Sequence, residues 1–222
     1  MIHLQNVTKS YRQGERSVLA CEVRELRIEK GEHVALIGRS GTGKTTLLHV
    51  LAGILRPDEG TIDIAGRRID TMSESERDRF RGQHIGMVYQ TFNLLQPFTA
   101  LENVLLGALF GRGASHAASQ RAKSLLERTG LGDRMHHRPS ELSVGQVQRV
   151  AICRALVNDP EVVLMDEPLG NQDRSTGGQV LQLLLELARE GGKTVVMVTH
   201  DPDSASRMQR TIDLATLRRH AS

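Results

Sequence analysis

The sequence predicts an α/β protein, a parallel sheet covered by helices on both faces and interrupted once by a helical insertion. Three observations predict it. The runs Val34-Ala35-Leu36-Ile37, Val162-Val163-Leu164-Met165 and Thr194-Val195-Val196-Met197-Val198 are almost wholly apolar, as strands buried on both faces must be. Helical stretches alternate with them. Across residues 91–157 helical periodicity takes over, and no strand pattern interrupts it.

Each element follows in chain order. Ile2-His3-Leu4-Gln5-Asn6-Val7 alternates apolar and polar residues, and Val23-Arg24-Glu25-Leu26-Arg27-Ile28 reads the same way, so both are half-buried strands. Gly31 punctuates before the first buried strand. A glycine-rich loop then opens a helix over residues 44–55, closed by Pro57. Residues 61–64 read as an edge strand and 84–89 as another strand. The insertion follows, with its loop at Gly111-Arg112-Gly113-Ala114-Ser115. After the strand at 162–165 comes a helix from about Gln179 to Glu190, then the strand at 194–198. There is no internal repeat.

Composition narrows the function classes. With 222 residues, 39% of them hydrophobic, the chain can bury a core without disulfide staples. Cys21 and Cys153 are the two cysteines, which is too few for a disulfide scaffold or a cysteine zinc site. No apolar run approaches the roughly 18 residues of a membrane helix, and Met1-Ile2-His3-Leu4-Gln5 does not read as a signal peptide. These features imply a soluble, reduced, cytoplasmic protein. The pI of 9.1 reflects a net charge of only +3. The arginines between Arg67 and Arg81 are interleaved with Asp70, Glu74, Glu76 and Asp78, a solvated mixed-charge face. With two Tyr, four Phe and no Trp there is little on which nucleobases could stack, so nucleic acid is not expected as a partner.

The strongest chemical signal is Gly38-Arg39-Ser40-Gly41-Thr42-Gly43-Lys44-Thr45, followed by Thr46. It matches G-x-x-x-x-G-K-[ST] and stands between a buried strand and a helix, as that motif requires. Glycines let successive N–H groups curl around phosphate oxygens. The helix N-terminus adds its positive dipole end, Lys44 reaches the outer phosphates, and the Thr45 hydroxyl is placed for Mg²⁺. A second signal is the apolar run ending in Asp166-Glu167-Pro168, carboxylates at the carboxyl end of a strand. Asp166 suits a Mg²⁺ shell and Glu167 suits a water-polarising base. A third is Leu142-Ser143-Val144-Gly145-Gln146 opening a helix, where Ser143 is at least a helix cap.

The order of phosphate loop, Gln90, Leu-Ser-x-Gly-Gln, apolar-Asp-Glu and His200 resembles the nucleotide-binding domain of ATP-binding-cassette (ABC) proteins, from Tyr11 to His200. The resemblance implies a P-loop NTPase (RecA-like) core with an N-terminal antiparallel β-subdomain and an inserted α-helical subdomain. On that reading 1–222 is a single ABC ATPase domain, with core 1–90 and 158–222 and helical subdomain 91–157. It implies ATP and Mg²⁺ as cofactors. Tyr11 would stack on adenine, unless it is a core aromatic at a strand end. Gln90 would contact Mg²⁺ and water alongside Thr45 and Asp166. Ser143, Gly145 and Gln146 would bind a partner protomer's nucleotide, Asp173 would link the two sites, and His200 would touch the γ-phosphate. Lys44, Gln90, Glu167 and His200 would carry catalysis.

A signature serine that serves a neighbour's nucleotide implies a head-to-tail homodimer around two ATP molecules. The segment from Met87 to Val104 and the pair Gly170-Asn171 resemble the lipoprotein-releasing and macrolide-export branch. That resemblance implies a permease on a separate chain and a position on the inner face of the cell membrane. The alternative within the same branch is a regulatory switch acting through a membrane partner on envelope enzymes. A chromosome-type ABC ATPase would carry a coiled coil or zinc insertion between Lys44 and Ser143, and neither is there. Phe92, Leu94, Leu95 and Phe98 are more apolar than a small insertion needs, so the permease should dock near residues 90–106.

Three departures stand out. Val144 replaces the usual glycine, which would be strained if that position needs positive φ. Gln172 stands where leucine is usual. Residues 211–222 lack the usual Asp-Gly turn and final strand pattern.

Overall fold

The computed structural model describes all residues except 15, 40, 114, 170–173 and 219–222. The chain forms two compact units, one of residues 1–78 and 194–222, the other of residues 79–193.

The first unit opens with a long antiparallel pair, β1 (Ile2–Gln13) and β2 (Arg16–Ile28). Asn6 takes a left-handed φ of 50°, so Leu4 and Val7 both face inward although three residues apart. They lie opposite Leu26 and Val23 of β2, all four buried. β3 (His33–Ile37) is buried over its first four residues. α1 (Lys44–Leu51) is shorter than the sequence suggests. Gly53, at φ 67°, ends it: its N–H bonds to the Val50 carbonyl and that of Ile54 to the His49 carbonyl, closing the helix before Pro57. β4 (Glu59–Ile64) and the two-residue β5 (Arg67–Arg68) complete an antiparallel sheet in the order β2-β1-β4-β5.

The second unit begins in α2 (Glu74–His84), which buries Phe80, half-buries Arg77 and Arg81 and leaves Glu74, Glu76, Asp78 and Arg79 exposed. His84 belongs to this helix, so the next strand, β6 (Ile85–Val88), is shorter than expected at both ends. Three capped helices follow. α3 (Ala100–Gly111) opens with a Thr99–Glu102 capping box, α4 (His116–Arg128) with Ser115, and α5 (Val144–Leu156) with a Ser143–Gln146 capping box. Among the described residues no strand lies between β6 and β7 (Val162–Asp166), which pairs parallel with β6. α3 and α5 pack closely because Gly107 presents no side chain; a Cβ there would sit 2.6 Å from the Arg154 carbonyl oxygen. α6 (Arg174–Glu190) starts earlier than its apolar pattern, with Val180, Leu181, Leu184, Leu185 and Ala188 buried on one face.

The chain then returns to the first unit with β8 (Thr194–Val198), buried throughout, α7 (Pro202–Ser206) and β9 (Arg210–Asp213). β3 lies between β8 and β9, parallel to both. β9 is the final strand that residues 211–222 were expected to lack. Its polar, exposed pattern is that of an edge strand held by backbone pairing to β3. Among the described residues, no helix is long and apolar enough to cross a membrane.

Candidate nucleotide site

The first unit carries the phosphate loop at the carboxyl end of β3. Gly41 and Gly43 take φ of 77° and 88° on either side of Thr42, the alternation that turns successive N–H groups to one side. At Gly43 no other residue fits: a Cβ would lie 1.9 Å from the carbonyl oxygen of Ala20 on β2. Gly38 is similarly close-packed, its virtual Cβ 2.7 Å from Thr42 Oγ1. The N–H and hydroxyl of Thr42 both donate to the Arg39 carbonyl, at 3.2 and 2.8 Å. Lys44 is 7% exposed, and its Nζ donates to the carbonyls of Gly38 (2.8 Å) and Arg39 (3.0 Å). The ammonium is thus held folded over the loop. α1 opens at Gly43, which has no side chain to cap it, and Thr45 and Thr46 occupy its first turn, Thr45 exposed. Ser40 lies outside the described residues.

His200 shares a cleft of about 610 Å³ with Ile37, Gly38 and Arg39. Buried Thr199 fixes the turn that presents it: its N–H bonds to the Leu36 carbonyl, and its hydroxyl accepts from Asp201 N–H at 3.0 Å. Asp201 in turn caps α7. Tyr11 is 43% exposed on β1, opposite Val18 on β2, so it is no core aromatic. Val18 is two residues, about 7 Å, along β2 from Ala20. Val18, paired opposite Tyr11, is exposed too, so the two offer an apolar surface that the sequence pattern did not disclose.

The second unit carries the other candidates. Gln90, exposed, lies two residues beyond β6. Asp166 ends β7, and Glu167 follows with a left-handed φ of 42°. A non-glycine in that region, immediately before a proline, is strained and must be held by its surroundings. Part of the hold is Gln148 of α5, 1% exposed, whose Nε2 donates to the Pro168 carbonyl at 2.5 Å. Ser143 is exposed at the N-cap of α5; its Oγ accepts from Gln146 N–H (3.3 Å) and Gln146 Oε1 from Ser143 N–H (2.8 Å). Gly145 is buried in the first turn. Val144 is 59% exposed in the helix and is not among the positive-φ residues, so the anticipated strain is absent. Asp173, Gln172 and the pair Gly170-Asn171 lie outside the described residues. Of the four apolar residues after Gln90, Leu95 and Phe98 are exposed, Phe92 is half-buried and Leu94 belongs to the core.

A sequence profile of the ABC transporter family matches residues 22–170. The chain belongs to the ABC transporter family. Lipoprotein-releasing system ATP-binding protein LolD of Pseudomonas syringae pv. tomato is 44% identical over 214 residues, covering 96% of this chain and 94% of that one. LolD of Xanthomonas campestris pv. campestris is 45% identical over 215 residues, covering 96% and 90%. A dimeric ATP-binding cassette in a post-hydrolysis state with ADP and Pi superposes with a TM-score of 0.86 at 41% identity, covering 96% and 94%. This ABC subunit therefore has the P-loop NTPase fold, with an antiparallel β-subdomain and inserted helices, and it is an ATP-binding ATP hydrolase.

Two contacts in this ABC ATPase were invisible in its motifs. Arg154, at the far end of α5, donates to the carbonyls of Phe92 (2.5 Å) and Asn93 (2.6 Å). Those two residues follow Gln90 with φ of 58° and 49°, and the guanidinium ties their turn to α5. Arg218, near the end of the described chain, donates to the Thr42 carbonyl at 3.2 Å. No motif spacing signals either, because both pair a side chain with a backbone atom far away in sequence.

Proposed function

We propose that this chain is the ATPase subunit of a lipoprotein-releasing system, energising a permease on a separate chain at the inner face of a bacterial cell membrane. The observation that carries the reading is end-to-end similarity: relatives bearing that name align over 96% of this chain. Exposed Leu95 and Phe98, just beyond Gln90, supply an apolar surface for the permease to cover.

The chemistry assigned to each residue follows from its surroundings. The loop from Gly38 to Thr46, including Arg39, Ser40, Gly41, Thr42 and Gly43, would cradle the phosphates with backbone N–H groups. Lys44 would exchange its two loop carbonyls for phosphate oxygens. Tyr11, with Val18 beside it, would take the adenine. The hydroxyl of Thr45, the carboxylate of Asp166 and the amide oxygen of Gln90 are hard oxygen donors of the kind Mg²⁺ takes, and would hold that ion. Bound Mg²⁺ would neutralise phosphate charge as it shifts to the leaving oxygen. Glu167 would accept a proton from the attacking water, its strained backbone fixing the carboxylate's direction. His200 would donate to the γ-phosphate. Ser143, Gly145 and Gln146 would meet the nucleotide of a second copy, with Asp173 linking the two sites, so that ATP closes the pair and hydrolysis releases it.

Glu167→Gln tests the assignment. With ATP and Mg²⁺ the variant should elute as a dimer and turn over no ATP; a monomer at saturating ATP would refute the closed pair. In vesicles containing the permease complex, wild-type turnover should rise with an acylated lipoprotein and not with its unacylated form. Equal stimulation by both would point to the regulatory role instead.

A further inference from the structure

The C-terminal segment departs from the family pattern at residues 211–222, yet its described part packs onto the phosphate loop. β9 pairs with β3, the strand that delivers the loop, with Asp213 opposite Ile37. The Asp213 carboxylate then accepts from Ala215 N–H (2.9 Å) and its carbonyl from Thr216 Oγ1 (2.7 Å), winding residues 214–217 into a tight 3-10 turn. Leu214, 4% exposed, is the plug of that turn; its Cβ lies 3.7 Å from where a Cβ on Gly38 would stand. One turn later Arg218 donates to the carbonyl of Thr42. The segment therefore lies beside the start of the loop at Gly38 and bonds to it at Thr42.

We infer that Arg218 is a positioning residue for nucleotide binding: by holding the Thr42 carbonyl on the outer side of the loop, it turns the Gly43 N–H toward the phosphates. The step is geometric. The peptide joining Thr42 to Gly43 is planar and trans, so its C=O and N–H point in opposite directions, and fixing one fixes the other. Left-handed φ at Gly43 leaves that glycine's backbone with easily accessible alternatives. Without an external donor on the Thr42 carbonyl, the Thr42–Gly43 peptide could rotate its N–H out of the ring of donors. Within the loop, Thr42 spends its N–H and hydroxyl on Arg39, and Lys44 grips Gly38 and Arg39, so these bonds hold other parts of it. From outside the loop, the Arg218 guanidinium donates to the Thr42 carbonyl. Its positive charge, near the loop, also favours an anion there.

The inference rests on the loop being the phosphate site. Its test compares Arg218→Ala and Arg218→Lys with wild type, in the full chain, by competition of ATP and of ADP against a fluorescent ATP analogue. A charge-assisted hydrogen bond at an exposed site predicts a loss of about threefold to tenfold for Arg218→Ala. ATP and ADP should weaken by the same factor, since the loop amides hold the phosphates common to both. In steady-state turnover the loss should fall on KM rather than kcat. Arg218→Lys, which keeps a charged donor, should recover at least half of the loss on a logarithmic scale. Three results would each overturn the inference: Arg218→Ala binding both nucleotides as wild type does, Lys failing to restore any affinity, or nucleotide-free Arg218→Ala melting more than about 4 °C lower, the mark of a structural role. A Lys44→Ala variant with undiminished ATP affinity would refute the phosphate site itself, and leaves a distinct signature from any of these.

Discussion

Replacing Gly43 by alanine should damage this protein more than replacing Gly41, though both glycines have positive φ and stand two residues apart. At Gly41 a Cβ meets nothing within 4 Å, so Gly41→Ala carries only the left-handed backbone term, about 1–2 kcal/mol. At Gly43 the same term applies, and the new methyl would also lie 1.9 Å from the Ala20 carbonyl oxygen and 3.0 Å from its carbon. Backbone of a paired strand must then give way, an overpacking cost of about 1–3 kcal/mol more. The total of about 2–5 kcal/mol corresponds to roughly 4–20 °C in melting temperature for a chain of this size, against about 2–8 °C for Gly41→Ala. Melting each variant with and without excess ADP separates stability from binding. Wild type at a hundredfold excess over Kd gains about 2.7 kcal/mol from the ligand, and Gly43→Ala should gain almost none because relief of the clash moves the loop. Equal melting temperatures for the two variants, or a full ADP shift in Gly43→Ala, would refute the close approach of β2 to the loop.

Other outcomes follow from the same surroundings. Val144→Gly should leave ATP turnover within twofold of wild type and cost under about 0.5 kcal/mol, since valine is already helical and exposed there; a severalfold rise in turnover would mean that the valine obstructs the signature. Burial pushes the Cys21 thiol up to about 11 and the Cys153 thiol up to about 12 from the ordinary 9.0. Both are therefore neutral thiols when folded, and a thiol-specific dye at pH 8 should label them only in denaturant; rapid labelling of the native chain would contradict their burial. Because the folded state holds these protons more tightly, their contribution to stability is full below pH 9 and is lost as pH climbs toward 11 and 12, which a denaturant titration across that range should register.

What the sequence disclosed was whatever local rules enforce. The apolar runs of β3, β7 and β8 can only be buried strands, and the glycine-lysine loop is a chemical requirement written in consecutive residues. Ser143 was legible as a cap because a capping box spans four residues, and the structure closes it with Gln146. The misreadings came from competing signals. Pro57 drew the end of α1 too far, although Gly53 supplies the left-handed closure. β9 escaped notice because an exposed edge strand is specified by the backbone of β3 and not by its own side chains. The expected strain at Val144 presumed a backbone conformation that only the folded helix could refute. Long-range contacts to backbone atoms, Gln148 to Pro168 and Arg218 to Thr42, had no sequence signal at all.

α5 gathers three of these contacts into one rigid body. Its first turn holds Ser143 and Gln146 in a capping box, its second presents Gln148 to the carbonyl of Pro168, and its last anchors the Phe92–Asn93 turn through Arg154. A helix of 13 residues spans about 20 Å, and helices of this length move as units. Under the proposed assignment, one end of α5 meets a neighbouring protomer's nucleotide, its middle braces the turn that carries Glu167, and its far end grips the turn between Gln90 and the exposed Leu95 and Phe98. A rotation of α5 imposed at Ser143 therefore cannot leave the other two places unmoved without breaking hydrogen bonds to buried or strained backbone. The coupling between nucleotide and permease then needs no dedicated relay, because the same helix that would complete the ATP site is bonded to the segment on which the permease would sit.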